Sequence, residues 1–304
     1  MVLKANKITF LILKVSISSV LLYVVISKTG FESVLSILRN IDPLYFISAV
    51  VLYILSQFIS SLRWKLLLPH AFEVKKLFSL YMIGAFFNTL LPGIVGGDAV
   101  KGFYLYKATG KGTLTFASIF MDRYLGFVVL IAICTIAYPF GYNYLHGSEV
   151  EWVLPFVIIS FVLASLLIFG LRLGKNIKIL SDFYEYFHSY RNQKGVIRNA
   201  LFLSVLIQGM GLFAVYVIAI GIGQHIPFLA CLIFVPLIVI FTMIPVSISG
   251  LGVREGSFVL FFGFIGVKPQ FATAISFSWF ITMVVGNLIG LTEYLRYKKE
   301  GVKL

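Results

Sequence analysis

The chain is poor in charge. Only 12% of its 304 residues are Asp, Glu, Lys or Arg, with 12 acids against 25 bases. That is about half the charged share of a soluble domain. Together with 60% hydrophobic residues and a mean hydropathy of +0.98, it excludes a soluble enzyme or a nucleic-acid-binding module. Cysteine is nearly absent. Cys134 and Cys231 lie far apart inside apolar runs, which argues for two small core hydrophobes and against a disulfide or a thiolate metal site. The four histidines do not cluster at metal-ligand or catalytic spacing, so no metal is expected and Ser–His or Cys–His chemistry has no foothold. Strict polar–apolar alternation is missing, which disfavours a β-barrel. No G-x-x-x-x-G-K-[ST] loop occurs, so a nucleotide-driven machine is not indicated and no cofactor is expected.

What is present is long apolar runs. About 20 apolar residues cross a bilayer as a helix, and such stretches fall near 8–27, 44–62, 77–91, 114–140, 152–171, 200–221, 228–246 and 271–291. The fold class predicted is an all-α polytopic membrane protein with about eight transmembrane helices. The chain reads as a single integral membrane domain over 1–304, with halves of about 1–171 and 200–304 joined by a cytoplasmic loop, 172–199. The first run follows Lys4 and Lys7 and lacks a small-residue cleavage site, so it reads as a retained helix rather than a signal peptide. With the N-terminus in the cytoplasm, twenty of the 25 bases fall on the inside. Lys28, Arg39 and Lys268 fall outside, while Arg123 and Arg254 lie within apolar sequence. This bias is the positive-inside signature, and it places both termini in the cytoplasm of a multi-pass protein of the cytoplasmic membrane. The 172–199 loop mixes Phe183, Tyr184, Tyr186, Phe187 and Tyr190 with charges, and reads equally as an interfacial amphipathic helix or a plain linker.

Two glycine-rich stretches break the apolar pattern, one in each half. The first runs from Asn88 through Pro92, Gly93, Gly96, Gly97 and Asp98 to Lys101. The second runs from Pro245 through Ser247, Ser249, Gly250 and Gly252 to Arg254 and Glu255. Each reaches a base nine residues after its proline and carries a carboxylate beside the glycines. Proline interrupts a helix by removing a backbone donor, and glycine permits turns and close approach. The short apolar stretches that follow, about 95–106 and 256–267, are too short to cross alone and fit re-entrant half-helices. Broken segments at corresponding places in two halves point to a transporter site and to an inverted-repeat arrangement. Asp98 is open to two readings, a cap for the restarting helix or part of an anion site together with Lys101.

Charge inside a bilayer is costly, at least about 2.5–3.5 kcal/mol per residue on insertion scales. Asp122 and Arg123 stand well inside the run 113–140. Adjacent helical positions point about 100° apart, so they face different partners. Asp98 is the expected partner of Arg123, and Lys101 or Arg254 that of Asp122. Asn88 can satisfy backbone groups freed at the break or meet substrate. Arg63-Trp64-Lys65 reads most simply as an interfacial anchor.

Taken in order, Asn88…Leu91-Pro92-Gly93…Gly96-Gly97-Asp98…Lys101, then Asp122-Arg123…Gly126, then Ser249-Gly250-Leu251-Gly252…Arg254-Glu255-Gly256 resemble the lysylphosphatidylglycerol synthase transmembrane-region family, also described as the flippase-like domain family. The resemblance covers about residues 5–296. It implies lipid translocation without the aminoacyl-tRNA-dependent synthase activity, because the cytosolic transferase domain of the best-known members is not in this sequence. By the same resemblance Asp98, Arg123, Arg254 and Glu255 form the polar core.

The function expected is a lipid flippase moving a polar-headed lipid between leaflets through a polar cavity. Arg254, Arg123, Lys101, Asn88 and Ser249 are the candidate substrate contacts. Asp98, Asp122 and Glu255 are the candidate gating or proton-linked groups. The alternatives are a secondary transporter of a small organic anion, an integral-membrane lipid-modifying enzyme and a scaffold. The expected partners are a membrane lipid and the bilayer, with a homodimer or a lipid-synthesis protein as further candidates and no nucleic acid.

Overall fold

The computed structural model describes residues 2–68, 72–90, 96–171, 181, 184–187, 190, 193–244 and 246–300. Pro92, Gly93 and Pro245 lie outside the described residues. The elements are α1 (Val2–Thr29), α2 (Phe31–Arg39), α3 (Pro43–Leu66), α4 (Val74–Leu90), α5 (Gly96–Thr109), α6 (Gly112–Ala137), α7 (Val153–Ser165), α8 (Lys194–Gly221), α9 (Phe228–Thr242), α10 (Val253–Gly263) and α11 (Pro269–Glu300). Among the described residues there is no strand. The protein is an all-α polytopic membrane protein.

Six helical stretches are long and apolar enough to cross a bilayer: Ile12–Thr29, Pro43–Leu66, Gly112–Tyr144, Val153–Gly170, Lys194–Gly221 and Pro269–Lys298. The other two expected spans are the shorter helices α4 and α9. At 1.5 Å per residue the 15-residue α9 is about 22 Å long, less than the ~30 Å hydrocarbon core. Each is the first arm of a hairpin, α4–α5 and α9–α10. In the first hairpin Asn88 meets Gly97 and Gly84 meets both Gly97 and Lys101, so the arms run antiparallel. In the second, Phe234 stacks on Phe261 and Phe262.

The hairpins enter from opposite ends of the bundle. Asp42, which caps α3, donates its N–H to the carbonyl of Gly221 at 3.1 Å, so α8 ends where α3 begins. The first hairpin follows the end of α3 and the second follows the end of α8, one helix length apart. Both tips reach mid-bundle. The Thr89 hydroxyl accepts from Asn287, midway along α11. Ile248 N–H donates to the Ser18 hydroxyl at 2.8 Å, and Ser18 lies midway along α1.

The packing repeats with inverted order. Helices α3 to α6 and α8 to α11 each form a unit of long helix, two short arms and long helix. The two leading helices α3 and α8 pack on each other. Hairpin arm α4 packs on α11 and its counterpart α9 packs on α6, while α3 meets α11 as α8 meets α6. Each hairpin is therefore held by the last helix of the other unit.

Local chemistry explains the element starts. Asp42 accepts from Leu44 N–H at 2.8 Å with Pro43 in the first helical position, a cap that satisfies an orphan donor and a residue already set to helical φ. The main core joins the phenylalanines of α9 and α10 to α6, α8 and α11. Cys134 and Cys231 are buried there as small core residues; the Cys134 thiol donates to the Ile233 carbonyl. Exposed apolar side chains such as Phe156, Ile159, Val162 and Leu163 of α7 form a face that water would not tolerate and lipid would. In the 172–199 connection Tyr184 and Tyr190 are buried, and the Tyr186 and Tyr190 hydroxyls both donate to the Leu67 carbonyl at the end of α3. These described tyrosines pack on the bundle rather than facing outward as an interfacial helix would.

Candidate functional site

One cavity of about 450 Å³ lies where the hairpin tips converge. The first broken motif contributes Asn88, Asp98 and Lys101 to its wall, and the second contributes Ser249 and Arg254. Asp122 and Arg123 of α6 line it as well. The two motifs and the intramembrane pair between them in sequence therefore share a single space.

Depth follows from helix geometry. Arg123 is eleven residues into the 26-residue α6, about 16 Å from its start at 1.5 Å per residue. A charge there has little bulk water, and its stability depends on partners.

The partners form a chain. Arg123 grips Asp98 with two hydrogen bonds, Nε to Oδ2 at 2.8 Å and Nη2 to Oδ1 at 3.1 Å. Asp122 is fully buried; it accepts from Arg63 Nε at 2.9 Å and from the Tyr81 hydroxyl at 2.8 Å. Arg63 also donates to the Ser204 hydroxyl at 2.8 Å. Lys101 stands between the two carboxylates, 3.7 Å from Asp98 and 3.6 Å from Asp122. Its ammonium lies over the rings of Trp64 and Tyr81. The expected pairing of Arg123 with Asp98 is present. For Asp122, Lys101 is close, Arg254 is not a partner, and the nearest base is Arg63.

Arg63 is the correction to the sequence reading. It is not an interfacial anchor but a buried ion, 4% exposed, and it lines the cavity. Its neighbour Trp64 is wholly buried too. The missed signal is a stripe on α3: Tyr53, Ser56, Gln57, Ser60 and Arg63 all line the cavity. They recur at three- and four-residue steps, the spacing of one helical face. On α4, Tyr81, Asn88 and Thr89 likewise line the cavity.

The second motif makes a compact group. Arg254 Nε and Nη2 lie 3.0 and 2.5 Å from Glu255 Oε1, and the Ser276 hydroxyl donates to the same oxygen at 3.2 Å. Glu255 Oε2 accepts the Gly252 N–H at 2.7 Å, so this carboxylate caps α10 while it pairs. The guanidinium lies 4.5 Å from the Phe280 ring, an arrangement that favours arginine over lysine.

Among the described residues, Asp98 pairs with Arg123 and Lys101, while the Gly97 N–H is taken by Asn88 Oδ1 at 2.7 Å. The glycines have distinct reasons. A Cβ on Gly97 would lie 1.8 Å from the Gly84 carbonyl oxygen, so only glycine lets the arms of the first hairpin meet. Gly250 and Gly252 have φ of +77° and +82°, the left-handed region that glycine enters freely; Gly96 opens α5. Ser249 holds a φ of +50° despite its side chain. Its hydroxyl is buried without a partner among the described residues, and Ser249 lines the cavity.

Four cations line the wall, Arg63, Lys101, Arg123 and Arg254, against Asp98 and Asp122, and Glu255 pairs with Arg254 from behind the lining. Counting that pair as neutral, one positive charge is in excess among the described residues. Arg123 is the most open of them, its side chain 45% exposed. Trp279, Phe280 and Phe127 add aromatic faces. Such a space can bind an anionic group with aromatic or apolar atoms beside it.

Comparison with known proteins gives the chain its relatives. The family profile described as "Lysylphosphatidylglycerol synthase TM region" matches residues 11–290. A UPF0104 membrane protein of Methanocaldococcus jannaschii is 24% identical across 99% of this chain and 98% of its own. One of Pyrococcus horikoshii is 23% identical across 92% and 96%, and one of Methanothermobacter thermautotrophicus is 24% identical across 78% and 80%. No solved structure matches.

Proposed function

The chain belongs to the lysylphosphatidylglycerol synthase TM-region family, and on that footing we propose that it is a lipid transporter rather than an enzyme. In this reading the central cavity carries the polar headgroup of a lipid between leaflets while the acyl chains stay in the bilayer. The observation that carries it is the convergence of both broken motifs on one cavity at mid-bundle, reached by hairpins from opposite ends. Arg123 and Arg254 are the headgroup contacts, since a planar guanidinium suits the oxygens of a phosphate. Ser249 supplies a free hydroxyl. Asp98 and Glu255 hold those arginines until the headgroup arrives, and so act as the gate. Asn88 serves the turn first and faces substrate second.

The orientation follows the charge bias. The ends of α3, α5 and α11 carry Lys65, Lys107 and Lys298, and face the cytoplasm of the cytoplasmic membrane. The first hairpin then opens from the inside and the second from the outside.

The test is the lipid that travels with the protein. Wild type purified in mild detergent is expected to retain an anionic polar-headed lipid, identified by mass spectrometry. The double variant Arg123→Gln/Arg254→Gln is expected to lose it while remaining monodisperse. Equal lipid composition in the two, matching the bulk membrane, counts against the reading. Uptake of a water-soluble organic anion by proteoliposomes in its place would move the assignment to solute transport.

A further inference from the structure

We propose that Lys101 is the proton-carrying group of the cavity, so that the cavity takes up a singly charged anionic headgroup together with one proton. This rests on the headgroup reading above and adds its coupling.

Each carboxylate in or behind the wall has its own arginine within hydrogen-bond distance: Asp122 has Arg63 at 2.9 Å, Asp98 has Arg123 at 2.8 Å and Glu255 has Arg254. Those pairs are neutral as they stand. Lys101 is the unmatched cation. Its Nζ is 3.6 and 3.7 Å from the nearest carboxylate oxygens, beyond the ordinary N–H···O range of about 2.7–3.2 Å. Beside these two long ion pairs it is held by two aromatic faces, Trp64 at 4.5 Å and Tyr81 at 4.2 Å, in a setting that leaves the side chain 2% exposed.

The groups facing Lys101 are known element by element. Helix α3 brings Arg63 and Trp64, α4 brings Tyr81, α5 brings Asp98, and α6 brings Asp122 and Arg123. Tyr294 and Tyr297 of α11, Tyr104 of α5 and Tyr186 join the apolar cluster around Trp64. Two carboxylates favour the ammonium; two arginines and the loss of water oppose it. A guanidinium does not give up its proton in a protein, whereas a buried lysine does so readily. Each of the three carboxylates is already paired with an arginine. Lys101 is thus the group of this wall whose proton can come and go.

The consequence is a balance of one charge. With Lys101 as the ammonium the wall carries one net positive charge; as the free amine it carries none. A monoanion that enters is matched when cavity water supplies one proton to Nζ, and when the anion leaves, the same N–H bond breaks and the proton returns to cavity water. The sign follows. The anion raises the hold of Nζ on its proton, so binding is tightest at low pH. It weakens as pH rises through the interval between the proton affinities of the empty and loaded cavity, by up to about tenfold per pH unit.

The experiment uses the full chain in nanodiscs. The probe is dihexanoyl-phosphatidylglycerol, a phosphodiester whose charge does not change between about pH 5 and 9. Isothermal titration in two buffers of different ionisation heat counts the protons taken up per lipid bound. Wild type is expected to take up close to one proton in the interval where its affinity falls. Lys101→Arg, which keeps the charge and the fold, is expected to bind with no uptake and no pH slope. Lys101→Met is expected to bind at least tenfold more weakly at the low-pH end. Proton uptake that persists in Lys101→Arg overturns the proposal and leaves the headgroup reading intact, as does a wild type that binds without a pH slope. A wild type that binds no phosphodiester at any pH overturns both.

Discussion

At the scale of single residues, burial and pairing decide which ions are structural and which are free to act. Asp122 is fully buried and holds Arg63, Tyr81 and Lys101 together. Asp122→Asn takes the counter-charge from the buried Arg63 and one of the two carboxylates near Lys101, and removing one partner of a buried pair costs on the order of 3–5 kcal/mol. We expect a markedly lower melting temperature in detergent; a variant that melts like wild type would show that the cluster is not holding α3, α4 and α6 together. Arg123 is different. Its side chain is half-exposed and its partner Asp98 keeps Lys101 nearby. Arg123→Gln leaves Lys101 beside Asp98 and is expected to melt closer to wild type than Asp122→Asn does, while lipid translocation falls at least tenfold. A loss of stability as large as that of Asp122→Asn would make Arg123 structural. Much of this was legible in the sequence, because a charge amid apolar residues announces itself: the Arg123–Asp98 pair and the nearness of Lys101 to Asp122 follow from the motifs. Arg63 was not legible. It stands at the end of its apolar run, where bases usually meet the interface, and only the three-and-four spacing of Tyr53, Ser56, Gln57 and Ser60 separates it from an anchor.

At the scale of elements, the hairpins depend on backbone approach. Gly97 meets the Gly84 carbonyl with no room for a methyl group. Gly97→Ala must spread α4 from α5, and overpacking of this kind costs typically about 1–3 kcal/mol. The expected result is a lower melting temperature together with reduced lipid retention. Gly147→Ala is not crowded, and its φ of +74° makes it the control for left-handed strain alone. The loop at the opposite end from Leu67 has its own device. Glu151 accepts from the Gly147 N–H, His146 and the Tyr142 hydroxyl. The backbone donor and His146 hold its carboxyl below the usual glutamate value, about 4.3. A lowered carboxylate contributes stability above that value and loses it as pH falls through its own. Protection of the amides of residues 142–151 against hydrogen exchange, taken relative to the intrinsic rate at each pH, is therefore expected to fall in acid, and Glu151→Gln to abolish the change. The existence of the breaks could be read from proline and glycine. That the short arms are re-entrant could be read from their length; which helices hold each hairpin could not, because packing on α6 and α11 is encoded in no local pattern.

At the scale of the whole molecule, the inverted packing of α3–α6 and α8–α11 leaves little trace in sequence outside the broken motifs. Side chains in the two units differ: the first unit carries the Asp122–Arg63–Lys101 cluster, while Phe258, Phe262 and Trp279 stack in the second. Backbone path, not composition, carries the symmetry. The charge bias does predict its orientation. Cys134 and Cys231 are buried and should be silent to a membrane-impermeant maleimide. Lys268→Cys is expected to label from outside intact cells, and Lys107→Cys only after the membrane is opened. The reverse pattern would invert the topology and exchange the sides from which the hairpins enter.

The central claim is that the two hairpin tips form one headgroup path across the membrane. Its most direct measurement is translocation of fluorescent phospholipid in proteoliposomes, read by dithionite quenching of the outer leaflet. Wild type is expected to bring the inner-leaflet probe out, so that quenching proceeds well past the outer half. The fourfold variant Asp98→Asn/Arg123→Gln/Arg254→Gln/Glu255→Gln, reconstituted as folded protein, is expected to stop at about half. Translocation by that variant at the wild-type rate would contradict the account.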